Sequence, residues 1–323
     1  MLSSLFSSSE SVSELEAILA VAGRHQQTNC SELFGAALAA AAGVSHGLAV
    51  SSDTAAVSTL IGAIGLRPGD SVLVAAHLRT RFVFPLFFGG LVPVFVDCLR
   101  TDLSLDAEAI AAAAALERMR VAFLAAPWGV AQDLAPIRNA LAPLGCRIVL
   151  DVTDCLSPGL ARSGLVSGAE IALLSLTEGE SPLSTGEGGA LLSDDAALVA
   201  DALSYQRFAD LLGERPGINQ KISAMQAALG LHKLNRLQII GPEADVLRRK
   251  LGAAGAEEAQ DAFFGTHLIL RRTVDLPGVA LRFLPRAHSL AVAARRAQSC
   301  PRLDTLAASL CAVPVSAAEQ CHV

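Results

Sequence analysis

Short, unbroken apolar runs alternate with longer segments of helical composition over most of the chain. Residues 48–51, 72–76, 92–97, 121–126, 148–151 and 171–176 are the strand-length runs. Between them, 54–64, 81–88, 106–119 and 134–141 have helical composition. Asp106 stands at the N-cap of its helix, and Glu108 in the first turn is favoured by the helix dipole. Upstream, 12–22 reads as the helix of an N-terminal arm, and Ser31 is placed to cap a second helix that runs through Ala42. Downstream, 196–208 is helical, and 217–237 is a loop followed by a long helix. Beyond about residue 240 the pattern weakens to a helix at 243–254, a strand at 267–271 and a last helix at 300–310. Strands without polar interruptions are covered on both faces, so the pattern predicts an α/β architecture with a mostly parallel sheet layered by helices. The expected organisation is an arm (1–30), a large domain (31–239) and a small C-terminal domain (240–323).

The segment 171–195, IALLSLTEGESPLSTGEGGALLSDD, predicts a strand, a loop, a glycine-rich turn at Gly186, Gly188 and Gly189, and a second strand. The loop carries Glu178 and Glu180 and no base. Ligands of parallel α/β sheets sit outside the carboxyl ends of the strands. Asp53, Arg79, Asp151 and residues 177–180 all lie just past strand ends, so they are expected to converge on one crevice.

Composition narrows the function classes. An apolar fraction of 52% against 17% charged residues supports a sizeable core. The net charge of -6 is interspersed and leaves no footprint for nucleic acid. The longest apolar runs are interrupted before membrane-spanning length, and the N-terminus turns acidic too soon for a secretory signal. The seven cysteines form no CxxC pair, so zinc-site spacing is absent, and buried thiols in a reducing cytosol are expected. Lysine is scarce: only Lys221, Lys233 and Lys250 are present, and an imine with a carbonyl cofactor needs one.

Seven segments, in order, carry a resemblance. AVSSDTAAV (49–57) resembles a strand-turn-helix reading SSGTAAL, and GLRPGDSVLVAA (65–76) resembles GxxPGDEVIVP. GGLVPVFVD (89–97) is similar to GAxPVFVD, and VLDVTDCL (149–156) to VIEDAAQA. LSLTEGESPLSTGEGGALLSDD (174–195) is similar to FSFxxxK…GEGGxxxxxD, GINQKISAMQAALGLHKL (217–234) to GxNxRMSExQAAxGLxQL, and CPRLDTLAASLCAVPVS (300–316) to CPxAExLAxxxLxLPxH. These are motifs of the StrS/DegT-type sugar aminotransferases, pyridoxal-phosphate enzymes of fold type I. The resemblance implies that fold and a site shared between two subunits. It implies an aldimine-forming lysine five residues after Ser175, where this chain has Glu180. Arg79 stands in place of the aromatic residue that stacks on the cofactor ring, Asp53 in place of a phosphate-site glycine, and Asp154 in place of a glutamine near the ring. Asp151 matches the partner of the pyridine nitrogen, and Ser175 and Thr54 match phosphate contacts. Trp128 and Gly129 match an HxxG segment whose histidine is replaced by Ala126.

These departures predict a protein that has lost Schiff-base chemistry and binds no cofactor, with pyridoxal phosphate on Asp151, Ser175 and Thr54 as the alternative. In the simplest arrangement Arg79 pairs with Glu180 or Asp151 and Asp53 caps its helix, filling an abandoned pocket. Alternatively Asp53, His77, Arg79, Asp151, Asp154, Glu178 and Glu180 form a new site, with Glu180 and Asp151 as acid and base and no spacing that selects a metal. His77 reads as a hydrogen-bonding strand-end residue, Trp128 as a cover of the crevice, and Cys155 as the one cysteine near it. The expected role is a non-catalytic subunit, as a homodimer or paired with a paralogous aminotransferase. The alternatives are a cofactor-independent enzyme, or an aminotransferase whose lysine lies elsewhere. Only residues 235–299 separate the sixth and seventh motifs, so a trimmed C-terminal lobe is expected.

Overall fold

The computed structural model describes residues 9–22, 29–117, 119–181, 183–211, 216–237, 247, 249–251, 257–260, 267–271, 282–290 and 299–314. Helices α1 (Ser9–Ala22) and α2 (Cys30–Ala42) precede strand β1 (His46–Val50) and helix α3 (Asp53–Ile64). Strand and helix then alternate through β2 (Ser71–Ala75), α4 (Thr80–Phe88), β3 (Val92–Val96), α5 (Ala107–Leu116), β4 (Val121–Ala125), α6 (Ala135–Leu141) and β5 (Arg147–Asp151). Two short helices, α7 (Leu160–Ser163) and α8 (Leu165–Ala169), lead to β6 (Ile171–Ser175) and β7 (Gly189–Ser193). Helices α9 (Ala196–Tyr205) and α10 (Ala224–Arg236) follow. The C-terminal part contributes β8 (Glu258–Gln260), β9 (His267–Arg271), a helix at Pro301–Ser309 and β10 (Leu310–Pro314).

The large sheet has the order β1-β7-β6-β5-β4-β2-β3. Strands β3, β2, β4, β5 and β6 run parallel, and β7 alone is antiparallel to its neighbours β1 and β6. Side chains alternate across this sheet with period two, and they divide the core accordingly. Leu73, Leu124, Ile148 and Leu150 join one apolar layer with Phe34 and Leu38 of α2. Val72, Val74, Phe123 and Val149 join the other with Leu60 of α3 and Phe82 of α4. The expected mostly parallel α/β layering is therefore what the chain adopts. A second sheet, β10-β9-β8, is small and antiparallel.

Element boundaries differ from the sequence pattern for local reasons. Asn29, not Ser31, is the residue before α2, and Ser31 donates its hydroxyl to the Asn29 side chain from within the helix. Ser52 caps α3, accepting from the Ala55 amide at 3.0 Å, while Asp53 is already helical. The helix expected at 196–208 ends at Tyr205, because Phe208, Ala209 and Asp210 take positive φ. The expected last helix stops at Ser309, and Leu310 turns into β10, which pairs with β9. Most of the helix expected at 243–254 lies outside the described residues. Among the described residues no helix is long and apolar enough to cross a membrane.

Helix α2 meets β1 through two glycines. A Cβ on Gly47 would stand 2.2 Å from the Gly35 carbonyl oxygen, and a Cβ on Gly35 2.4 Å from that of Gly47. The obstacle is backbone on both sides, so it cannot rotate away. Gly47→Ala is expected to destabilise the protein by about 3 kcal/mol, the upper end of the usual overpacking cost. A urea midpoint unchanged from wild type would refute this close approach.

Candidate functional site

The carboxyl ends of β2, β5 and β6 place the site. Arg79 follows β2 and is the residue before α4, with extended backbone (φ -53°, ψ 131°). Its guanidinium meets three carboxylates. Nε stands 2.9 Å from Asp151 Oδ2 as an ion pair rather than an aligned hydrogen bond. One terminal nitrogen donates to Asp154 Oδ1 and the other to Glu180 Oε2. Burial alone would lower the pKa of Arg79, but Asp154, Asp151 and Glu180 outweigh it and raise the value, so the charge is retained. The expected pairing of Arg79 with Glu180 or Asp151 is thus present with both, and Asp154 joins them.

Two of these acids, Asp151 and Asp154, are fixed from behind. Asp151 Oδ1 accepts from the Thr153 amide at 2.9 Å and the Thr153 hydroxyl at 2.6 Å. That hydroxyl oxygen in turn accepts from the Ser175 amide at 2.9 Å, tying β5 to β6. Asp154 Oδ2 accepts from the Trp128 amide at 2.9 Å. Burial raises the pKa of Asp151 beyond what Arg79 restores. For Asp154, burial also pushes upward, but Arg79, His267 and Arg282 together hold the carboxyl below its usual range.

A second cluster lies at the start of α3 and does not touch Arg79. Asp53 is 1% exposed. Its Oδ1 accepts from the Thr54 amide at 2.7 Å, and its Oδ2 from the hydroxyls of Ser175 and Thr177, each at 3.3 Å. Arg81 Nε lies 3.9 Å away. The Thr177 hydroxyl also stands 3.1 Å from Glu187, so its one hydrogen serves either carboxylate but not both at once. Asp53 was expected as the helix cap; instead Ser52 holds the Ala55 amide and Asp53 holds the Thr54 amide. Thr54 Oγ1 is 2.9 Å from Ser52 Oγ. Burial, the main influence, raises the pKa of Asp53.

Beside Arg79 a cavity of about 220 Å³ remains, bordered by His77, Trp128, Asp154, Glu180, Arg282 and Phe283 among others. The crevice is therefore occupied by charge but not filled. His77 is buried, and its Nε2 lies 3.1 Å from the Ala125 carbonyl. Burial pushes it down to about 4, so it is a neutral hydrogen-bonding residue at neutral pH. Trp128 is buried with φ 53° and borders the cavity. Glu178 does not join the site: it is exposed and absent from the cavity wall. Cys155 is fully buried, its thiol pKa raised chiefly by burial, so it is not a reactive group.

Three charged residues and one histidine that the sequence pattern does not single out complete the two clusters. Arg282 donates to the carbonyls of Gly179 and Glu180 and stands 3.6 Å from Asp154. His267, on β9, lies 3.9 Å from Asp154. Both come from the C-terminal region, where the hydropathy pattern is weak. Arg81 and Glu187 pair at 3.7 Å over the Asp53 cluster. Glu187 sits inside the GEGG turn, a visible signal overshadowed by its glycines.

The residues present do not fit pyridoxal phosphate. None of the cavity's bordering residues is a lysine. Lys233 donates to the Ser184 carbonyl at 2.8 Å and pairs with Glu14, and Lys221 is exposed. The amides of Thr54 and Ala55, which a phosphate at this helix N-terminus would use, are taken by Asp53 and Ser52. The carboxylate of Asp151 already faces a cation. Among the described residues no group of three or more His, Cys, Asp or Glu is placed to hold a metal ion.

Two outcomes are expected from these arrangements. Arg79→Leu leaves buried carboxylates unpaired and should cost roughly 3–5 kcal/mol at neutral pH. That deficit should shrink toward the carboxylate range, since the orphaned acids can then be neutral; a deficit independent of pH in denaturant titrations would refute the pairing. His77 and His267 both have folded pKa values near 4, below the ordinary 6.5. Their contribution is complete above pH 6.5 and is lost as pH falls toward 4. The melting temperature should therefore decline over that window, and less steeply in His77→Gln.

The profile of the DegT/DnrJ/EryC1/StrS aminotransferase family matches residues 8–251. The lipopolysaccharide biosynthesis protein RfbH of Salmonella typhimurium is 29% identical over 217 residues, covering 57% of this chain and 49% of that one. The chain spans about half the length of the curated relatives it matches. The structure of DesI in the presence of its TDP-sugar product superposes with a TM-score of 0.78 at 23% identity, over 94% of this chain and 84% of that one. NtdA from Bacillus subtilis, solved with bound PMP, superposes with a TM-score of 0.74 at 19% identity, over 94% and 77%. At such identities the superpositions show a shared fold, that of fold type I. The PMP in that neighbour favours a pyridoxal-type cofactor in the family and lends no support to the expected cofactor-free pocket. The match across residues 8–251 shows that this chain belongs to the DegT/DnrJ/EryC1/StrS aminotransferase family.

Proposed function

We propose that this chain is a family member without Schiff-base chemistry that serves as a non-catalytic subunit beside an intact aminotransferase. The observation that carries the reading is Glu180: five residues after Ser175, it is a carboxylate engaged with Arg79. Glutamate cannot form an imine, and Lys233, whose amine reaches this loop at the Ser184 carbonyl, is committed there and to Glu14. Asp151 supports the same reading, because both of its oxygens are already engaged and it cannot act as a base without releasing Arg79. Exposed apolar side chains before and at the start of α10, Phe208, Ile218 and Met225, supply surface that a partner subunit would cover.

The decisive measurement is the absorbance spectrum after incubation with pyridoxal phosphate. A colourless protein is expected; a yellow one whose band borohydride bleaches would overturn the chemical half of the proposal. The partnership is read separately, by co-expression with an intact family member, where one co-eluting species is expected and separate peaks would sink it.

A further inference from the structure

The cavity beside Arg79 is left open by the side chains around it. The charges of its wall, and those of the neighbouring Asp53 cluster, are what oppose a pyridoxal phosphate. In the Asp53 cluster, the Thr54 amide and the Ser175 hydroxyl donate to the carboxylate at a helix N-terminus, and the Thr177 hydroxyl stands 3.3 Å from it. Groups so arranged make an anion cup, and the anion in it is the Asp53 carboxylate. In the Arg79 cluster, Asp151, Asp154 and Glu180 converge as acceptors, and the cation between them is the Arg79 guanidinium. A pyridoxal phosphate carries the same two charges, a phosphate dianion and a protonated ring nitrogen, on one small molecule. Either end of it would meet a buried like charge, and repulsion of that kind is strong where water is excluded.

We infer that Asp53 and Arg79 are built-in surrogates for the anionic and cationic ends of the cofactor, and that they, rather than the loss of a lysine, exclude it. The inference rests on the same site as the proposed function and extends it: restoring a lysine is not enough to restore the ligand. The two side chains come from separate clusters, one at the start of α3 and one just before α4, and each is satisfied by groups of this chain alone.

The test uses pyridoxamine phosphate, which needs no lysine because it forms no imine with the protein. Trp128, the only tryptophan of the chain, borders the cavity and reports binding by quenching of its fluorescence. Wild type and Glu180→Lys are expected to show no quenching and no rise in melting temperature up to millimolar ligand. Asp53→Ala and Arg79→Tyr should each gain affinity, and the double variant should bind at least roughly tenfold more tightly than either. Micromolar binding by wild type, or by Glu180→Lys alone, would overturn the inference, as would a folded double variant that does not bind. Should Arg79→Tyr fail to fold, Asp53→Ala titrated with inorganic phosphate decides the anionic half: a phosphate-dependent rise in melting temperature is expected there and not in wild type, and its absence counts against the surrogate. Because pyridoxamine phosphate reports non-covalent binding, wild type that binds it yet stays colourless with pyridoxal phosphate would defeat this inference and leave the proposed function standing.

Discussion

A guanidinium held by three carboxylates is the contact on which the strand-end architecture depends. Arg79 joins the ends of β2 and β5 and the loop after β6 to one charged centre. Removing those charges from water is costly, and only near-complete pairing offsets the cost. The supporting bonds follow from that demand. Thr153 fixes Asp151, the Trp128 amide fixes Asp154, and Arg282 clamps the backbone on either side of Gly179 and Glu180. Through Arg282 and His267 the C-terminal region is tied to the same centre, so the small sheet is electrostatically part of the crevice.

The large sheet is legible in the sequence because its strands are buried on both faces and read as unbroken apolar runs. What escaped the pattern is conformational detail on the scale of one residue. Ser52 and Asp53 are both good capping types; only the extended backbone of Ser52 (φ -160°, ψ 167°) makes it the cap and leaves Asp53 inside the helix. Glu178 and Glu180 look equivalent in a loop, but Gly179 between them takes φ +78°. The chain reverses there, sending one carboxylate to solvent and the other to Arg79. Arg282 and His267 were illegible for a different reason: their partners lie more than a hundred residues away, and no local periodicity announces them.

Family membership and local chemistry point in different directions, and the reason is that they are carried by different residues. Membership rests on motifs that shape backbone: the turn before β2, the GEGG turn, and the capping box of Ser223 and Gln226 that starts α10. Gln226 then binds the Glu187 carbonyl at 2.7 Å, so α10 and the glycine-rich turn hold each other in place. None of these needs a cofactor to form. The positions that differ, Asp53, Arg79, Asp154 and Glu180, are side chains projecting from that frame. Arg79, Asp154 and Glu180 satisfy one another, and Asp53 is satisfied by Thr54 and Ser175, which is why the frame tolerates all four.

The two ionic clusters also bear on how the folded state is maintained. A protein stabilised by a dissociable ligand loses stability as the ligand's concentration falls, by mass action. Asp53 and Arg79 are attached to the chain, so the charges they supply are present at a fixed local concentration whatever the surrounding solution contains.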